Sequence, residues 1–152
     1  MSSERQYPNE AYLFFFRYEI MMEMKLAGCA ILDGGKILLL HRIKRDWYEL
    51  PGGKIEAGES PESAAVRELG EELLCDVEIL QKLGSKEFKE GEKNIHYTWF
   101  LARIASGAPK IGEPEKFDRF KYIALDELEN YSLSSNMKNF LAEMKSGRII
   151  FG

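Results

Sequence analysis

The sequence predicts an α/β domain. Three observations carry that prediction. Short apolar runs of strand length are separated by glycine- and aspartate-bearing turns. Two segments open with serine caps and carry apolar residues at helical spacing. The 152-residue length suits one domain with a single core.

Taken in chain order, residues 1–8 read as a polar tail. Residues 10–22 are apolar but punctuated by Glu10, Arg17 and Glu19. Their periodicity leaves helix and strand both open. We divide the chain into an N-terminal extension, 1–23, and a catalytic-size domain, 24–152. Lys25–Leu32 and Lys36–His41 alternate as strands around Asp33-Gly34-Gly35, a strong hairpin signal. A polar loop, Lys44-Arg45-Asp46, leads to Trp47-Tyr48-Glu49-Leu50-Pro51 and the pair Gly52-Gly53. A helix is predicted from Ser60 to Leu73, with Ser60 as N-cap and Pro61 at the first helical position. Strands follow at Val77–Lys89, Lys93–Ile104 and Phe120–Ala124, and a last helix at Ser134–Ser146.

Composition narrows the function classes. Hydrophobic residues make up 45% and charged residues 30%, as in a soluble globular domain. No apolar stretch is long enough to span a bilayer. The formal net charge of −4 argues against a general nucleic-acid binder. Cys29 and Cys75 form no C-x-x-C pair, so neither a zinc site nor a disulfide is expected. A reducing cytoplasm is the expected setting. The N-terminus lacks the features of a secretory signal. The Tyr12–Phe16 run hints at a homodimer contact.

The chemistry concentrates in residues 52–73. On a helix at 100° per residue, Ala65, Leu69, Leu73 and Val66 form one apolar stripe. Glu68, Glu71 and Glu72 crowd the arc beside it. Carboxylates ~5–6 Å apart repel by ~3 kcal/mol per pair at an effective dielectric of 20. Such a cluster favours a hard cation, Mg²⁺, Mn²⁺ or Ca²⁺, over zinc. A solvated glutamate face is the commoner explanation of such a helix taken alone.

The residue order resembles the Nudix box: Gly, five residues, Glu, seven residues, then Arg-Glu-aliphatic-x-Glu-Glu-x-Gly-aliphatic. Gly53, Glu59, Arg67, Glu68, Leu69, Glu71 and Glu72 match in register. At roughly 7% usage per residue type, six fixed matches arise by chance about once in 10⁵. The resemblance covers roughly Met24 to Leu141. It departs at position 74, where the box has glycine and this chain has leucine, and Gly70 sits inside the helix instead. An altered helix exit is therefore expected.

The resemblance implies an α/β/α sandwich with a mixed, curved sheet. It also implies metal ligation by Glu68 and Glu72, with Glu71 assisting through water and the Gly52 carbonyl contributing. Glu59 and Arg67 are implied to pair and hold the loop at Gly53. On the wheel Arg67 lies away from the metal arc, which supports a structural role. The implied chemistry is water attack on a pyrophosphate link, with a carboxylate taking the proton. Glu68 is one candidate base; Glu113 and Glu115 are others, and we take Glu68, Glu72 and Glu115 as the catalytic set. Phosphate contacts are expected from Arg42 and Lys54, with Lys44 and Arg45 as alternatives. Phe88, Tyr97 or Phe117 could stack on a base, whereas His41 and His96 read as structural.

The stretch from Glu113 to Leu128 resembles nucleoside triphosphate pyrophosphatases of the family. Subfamily markers of ADP-ribose hydrolases (a proline) and dinucleoside polyphosphate hydrolases (a tyrosine) are missing where Glu90 and Gly91 stand. The leading expectation is a MutT-like enzyme that releases a nucleoside monophosphate and pyrophosphate. Hydrolysis of an ADP-sugar is the alternative, and a non-catalytic nucleotide sensor is third. The partner is expected to be a small nucleotide, with neither nucleic acid nor membrane.

Overall fold

A computed structural model describes residues 10–14, 17 and 23–151. Residues 10–14 and 17 are helical, and Tyr12, Leu13 and Phe14 are exposed. Of the expected 1–23 extension, Glu23 opens the first strand and the remaining residues lie outside the described ones. The domain contains β1 (Glu23–Asp33), β2 (Lys36–Arg42), β3 (Trp47–Glu49), β4 (Gly52–Lys54), α1 (Pro61–Leu73), β5 (Asp76–Glu90), β6 (Lys93–Ser106) and β7 (Phe117–Ala124). A 3₁₀ helix (Leu125–Asn130) and α2 (Ser135–Lys145) complete it.

The sheet runs β3-β2-β1-β6-β5, with β4 also on β1 and β7 also on β2. It is mixed, because β1 and β6 pair in parallel from Glu23↔Asn94 to Ile31↔Ala102 while the other pairs are antiparallel. β2 pairs with β1 only at Leu32 and Asp33, and β4 takes Leu26 to Gly28. The two halves of the sheet thus diverge from β1. Register shifts along β5–β6 mark bulges that add bend and twist.

Both faces of the central strands are covered, which is why β2 reads as a continuous apolar run rather than an alternating one. Ile37 and Leu39 join the cluster under α2, with Trp99, Met137 and Phe140. Leu38 and Leu40 join the cluster under α1, with Ala64, Ala65, Leu69 and Leu73. The result is the α/β/α sandwich.

The exit of α1 differs from expectation. Leu74 adopts the left-handed conformation (φ 52°, ψ 39°) that the box reserves for glycine, and its N–H donates to Gly70 O at 3.1 Å. The exit keeps its shape, and leucine bears a strain of about 1–2 kcal/mol. Gly70 adds an avoidable cost. A Cβ built there meets nothing closer than Cys75 O at 4.0 Å. Gly70→Ala should therefore stabilise the fold by about 1 kcal/mol. That is a rise in Tm of roughly 2–4 °C by calorimetry; an unchanged or lower Tm would contradict it.

Candidate active site

The helix that carries the glutamates starts as its sequence dictates. The Ser60 hydroxyl accepts from Ser63 N–H at 3.1 Å, and Pro61 opens the first turn. Its buried arc comprises Ala64, Ala65, Leu69, Glu72 and Leu73, while Val66 is exposed. Compared with the apolar stripe read from sequence, the arc is rotated toward the acidic side. Glu72 therefore lies within the buried face, 3% exposed, rather than beside it.

The strand end before the helix is shaped around two of these carboxylates. Gly52 N–H donates to Glu72 Oε1 at 2.7 Å. A Cβ on Gly53 would sit 2.4 Å from Glu68 Cδ, so only glycine leaves room for that carboxylate. Arg67 lies closer to the acidic arc than the wheel suggested. It grips Glu59 through Nε (2.7 Å) and Nη2 (2.9 Å), and Nη2 also donates to Lys54 O at 3.0 Å. Its Nη1 reaches Glu68 at 3.1 Å and Glu71 at 3.2 Å. Arg67 thus ties the loop to the helix and is shared by two acids of the cluster.

This arrangement has a pH signature. Hydrogen bonds from Arg67 and from Glu56 N–H hold the Glu59 carboxyl at about 2. A carboxylate whose folded pKa lies below its unfolded value of ~4.3 stabilises the fold above that value, and the benefit fades as pH falls through the folded pKa. Urea midpoints of the wild type should therefore drop between about pH 4 and 2 more steeply than those of Glu59→Gln. Parallel curves would exclude this contribution.

The loop after β6 brings in an acid from the far side. Lys110 N–H donates to Leu73 O (2.8 Å) and Gly112 N–H to Glu72 O (2.9 Å), capping the last carbonyls of α1. The next residue, Glu113, lines the cavity and pairs with Lys116 at 3.1 Å. Glu115 is exposed and does not line the cavity. Of the other expected residues, Glu68, Glu72, Gly52, Gly53, Lys54 and Arg42 line it, whereas Glu71 is exposed and does not. Arg42 is engaged by Glu49 through Nε (2.5 Å) and Nη2 (3.0 Å) and lies over the Phe117 ring. Phe117 itself is fully buried, as is Tyr97 nearly so, which leaves neither free to stack on a ligand.

The cavity measures about 560 Å³. At its acidic end, burial is the main cause that pushes Glu72 well above the usual carboxylate range, and Glu49, Glu68 and Glu113 add to it. Glu68 is raised for the same first reason, with Arg67 opposing and Glu71 and Glu113 adding. Each outer acid has a cation: Arg42 on Glu49, Arg67 on Glu68, Lys116 on Glu113. Among the described residues, Glu72 has none. Hard oxygen donors of this kind fit a Mg²⁺ or Mn²⁺ ion. Among the described residues no three acidic or imidazole side chains already converge as a closed cage.

Asn136 and Trp47 are among the lining residues that escaped the sequence reading. Asn136, at the start of α2, accepts from Trp99 Nε1 at 2.8 Å, and Trp47 donates to Glu49 at 2.8 Å. Asn136 lies far along the chain from the box, so no local pattern marks it. Arg45, weighed only as an alternative, lines the cavity with its guanidinium 5.4 Å from the Trp47 ring centre.

A glutamate-faced helix fed by a Gly-Gly strand end thus lies on a mixed sheet between two helices. The chain belongs to the Nudix family: the family model of the NUDIX domain matches residues 22–144. Members of the family hydrolyse pyrophosphate bonds of nucleotide substrates and generally need divalent metal ions. The chain is 40% identical over 129 residues to the Nudix hydrolase YvcI of Bacillus subtilis, covering 82% of this chain and 80% of that one. It is 33% identical to an RNA pyrophosphohydrolase of Pseudomonas putida over 115 residues, 60% of this chain and 70% of that one. Its fold matches the crystal structure of a MutT Nudix hydrolase from Burkholderia pseudomallei with a TM-score of 0.73 at 29% identity, covering 79% and 96% of the two chains. No helix among the described residues is long and apolar enough to cross a membrane.

Proposed function

We propose that this protein is a divalent-metal-dependent pyrophosphohydrolase that cuts nucleoside triphosphates to a monophosphate and pyrophosphate. One observation carries the reading: Glu72 is a buried carboxylate with a single backbone donor, surrounded by acids that each already hold a cation. A buried charge left so is costly unless a cation completes it. Glu68 and Glu72, with the Gly52 backbone, would hold the ion, and Glu71 would reach it through water. Mg²⁺ is the expected ion and Mn²⁺ the alternative. Such an ion neutralises phosphate oxygens and lowers the pKa of an attacking water.

The chain's own groups supply the rest. Water oxygen bonds to one phosphorus, the bridging P–O bond breaks, and the second phosphate leaves with the bonding electrons. The water's proton passes to a carboxylate, Glu68 or Glu113. Glu113 replaces Glu115 in this role because it faces the cavity. Lys54 and Arg45 take part in no ion pair among the described residues, so they are the cations available for phosphate. Arg42, held by Glu49, shapes the wall. The Asn136 carbonyl is occupied by Trp99 and its amide also bonds Tyr97, which leaves one N–H for a base or sugar.

The RNA pyrophosphohydrolase relatives favour a second reading, in which the triphosphate is an RNA 5′ end. The net charge of −4 weighs toward the free nucleotide, since a general backbone binder carries a basic face. The test incubates the protein and Mg²⁺ with nucleoside triphosphates, ADP-ribose, dinucleoside polyphosphates and a 5′-triphosphate oligoribonucleotide, and resolves the products by chromatography. Monophosphate plus pyrophosphate from free triphosphates supports the first reading. Turnover confined to ADP-ribose or to the oligonucleotide overturns it.

A further inference from the structure

The most constrained polar group outside the acidic cluster is His41, on β2. Its side chain is 8% exposed, and both ring nitrogens face carboxylates. Nδ1 lies 2.6 Å from Asp118 Oδ1 on β7, and Nε2 lies 2.8 Å from Asp46 Oδ1 in the turn between β2 and β3. A neutral imidazole has one N–H and one lone pair, so it can donate to only one of these acids. The other contact would then set lone pair against lone pair. Only an imidazolium satisfies both, and its hydrogen bonds are charge-assisted.

The remaining neighbours complete the environment. From β3, the Tyr48 ring packs 5.0 Å from the His41 ring. From β7, Arg119 Nη1 pairs with Asp118 Oδ2 at 2.7 Å, and its Nε donates to Tyr48 Oη at 3.1 Å. Asp118 therefore has two cations. Asp46 has His41 as its charged contact, its side chain is otherwise 92% exposed, and its backbone is left-handed with φ 50°. A single charged contact thus anchors the side of the turn that carries Arg45.

We propose that His41 is a positioning residue for Arg45. Through its two ring nitrogens it bridges Asp118 and Asp46 and fixes the 43–46 turn, which holds Arg45 over Trp47 at the cavity mouth. Without the imidazole Asp46 loses its charged contact, whereas Asp118 keeps Arg119. The turn then relies on Ile43 N–H to Lys116 O (3.0 Å) and Asp46 N–H to Arg42 O (2.9 Å). Arg45 loses its fixed place and substrate binding weakens, with the chemical step untouched. The effect on substrate binding rests on the function proposed above; the motion of the turn does not.

The test compares, at one pH, the full-length wild type with His41→Leu, Asp46→Ala and Asp46→Asn, the last a residue type at home in the left-handed region. Trp47 emission reports the turn without any substrate, while Trp99, 1% exposed, gives a constant background. His41→Leu and Asp46→Ala should both shift Trp47 emission and raise KM for the best substrate about threefold to tenfold at constant kcat. Asp46→Asn should keep the wild-type values, because its amide still pairs with the ring. Wild-type emission in Asp46→Ala, or a shift in Asp46→Asn as large as in Asp46→Ala, overturns the proposal. The emission arm decides it even if no nucleotide is turned over.

Discussion

Glu72→Gln should lower kcat by about 10³-fold or more, yet make the metal-free protein more stable. The activity loss follows from removing the one charge in the cluster that lacks a protein cation. The stability gain follows from sign. Burial raises the Glu72 carboxyl well above its usual range. An acid whose folded pKa exceeds its unfolded value costs the fold stability above the folded pKa; the cost shrinks as pH falls below it and is gone below the unfolded value. Glutamine keeps an oxygen for Gly52 N–H and removes the charge, for a gain of about 1–2 kcal/mol. Added Mg²⁺ should raise the wild-type Tm and leave the mutant's unchanged. Retained turnover, or an equal Mg²⁺ response in both proteins, would remove Glu72 from the metal site.

What the sequence revealed, and what it hid, divides along local and non-local physics. The Ser60 cap, the Pro61 start and the register from Gly53 to Glu72 are set by near neighbours, and the helix stands where its pattern places it. The β1–β2 hairpin follows from Gly34-Gly35 in the same way. β3 and β4 are three residues each, too short to show a period, and exist because β2 and β1 offer them edges. The wheel misjudged the buried arc because it ranks residues by hydropathy. Ala64 is buried and Val66 is not, since the sheet approaches from the Glu72 side. The leucine at 74 was expected to reshape the helix exit; the contacts of the following loop outweigh its local preference. Asn136, Glu113 and the His41 bridge join residues far apart in sequence, and only the closed sheet brings them together.

That loop gives the second large effect. A Cβ on Gly112 would lie 2.1 Å from Glu71 O and 3.0 Å from Leu74 Cδ2. The first neighbour is helix backbone and cannot swing aside. In Gly112→Ala the loop must lift, weakening the bonds from Lys110 and Gly112 to the last carbonyls of α1. Two such bonds at about 1 kcal/mol each, plus overpacking of about 1–3 kcal/mol, give an expected loss of roughly 3–5 kcal/mol in urea unfolding. Glu113 follows Gly112 directly, so the lifted loop also carries the acid away from Glu68 and Glu72. A displacement near 1 Å is enough to lower kcat by about 10²-fold. Glu113→Gln should then reproduce most of the kcat loss with little of the stability loss, and Glu115→Gln should lose far less activity than either. If Gly112→Ala unfolds more easily but turns over at the wild-type rate, or if Glu115→Gln is the more damaging variant, the proton-accepting role of Glu113 fails and the loop serves only to cap the helix.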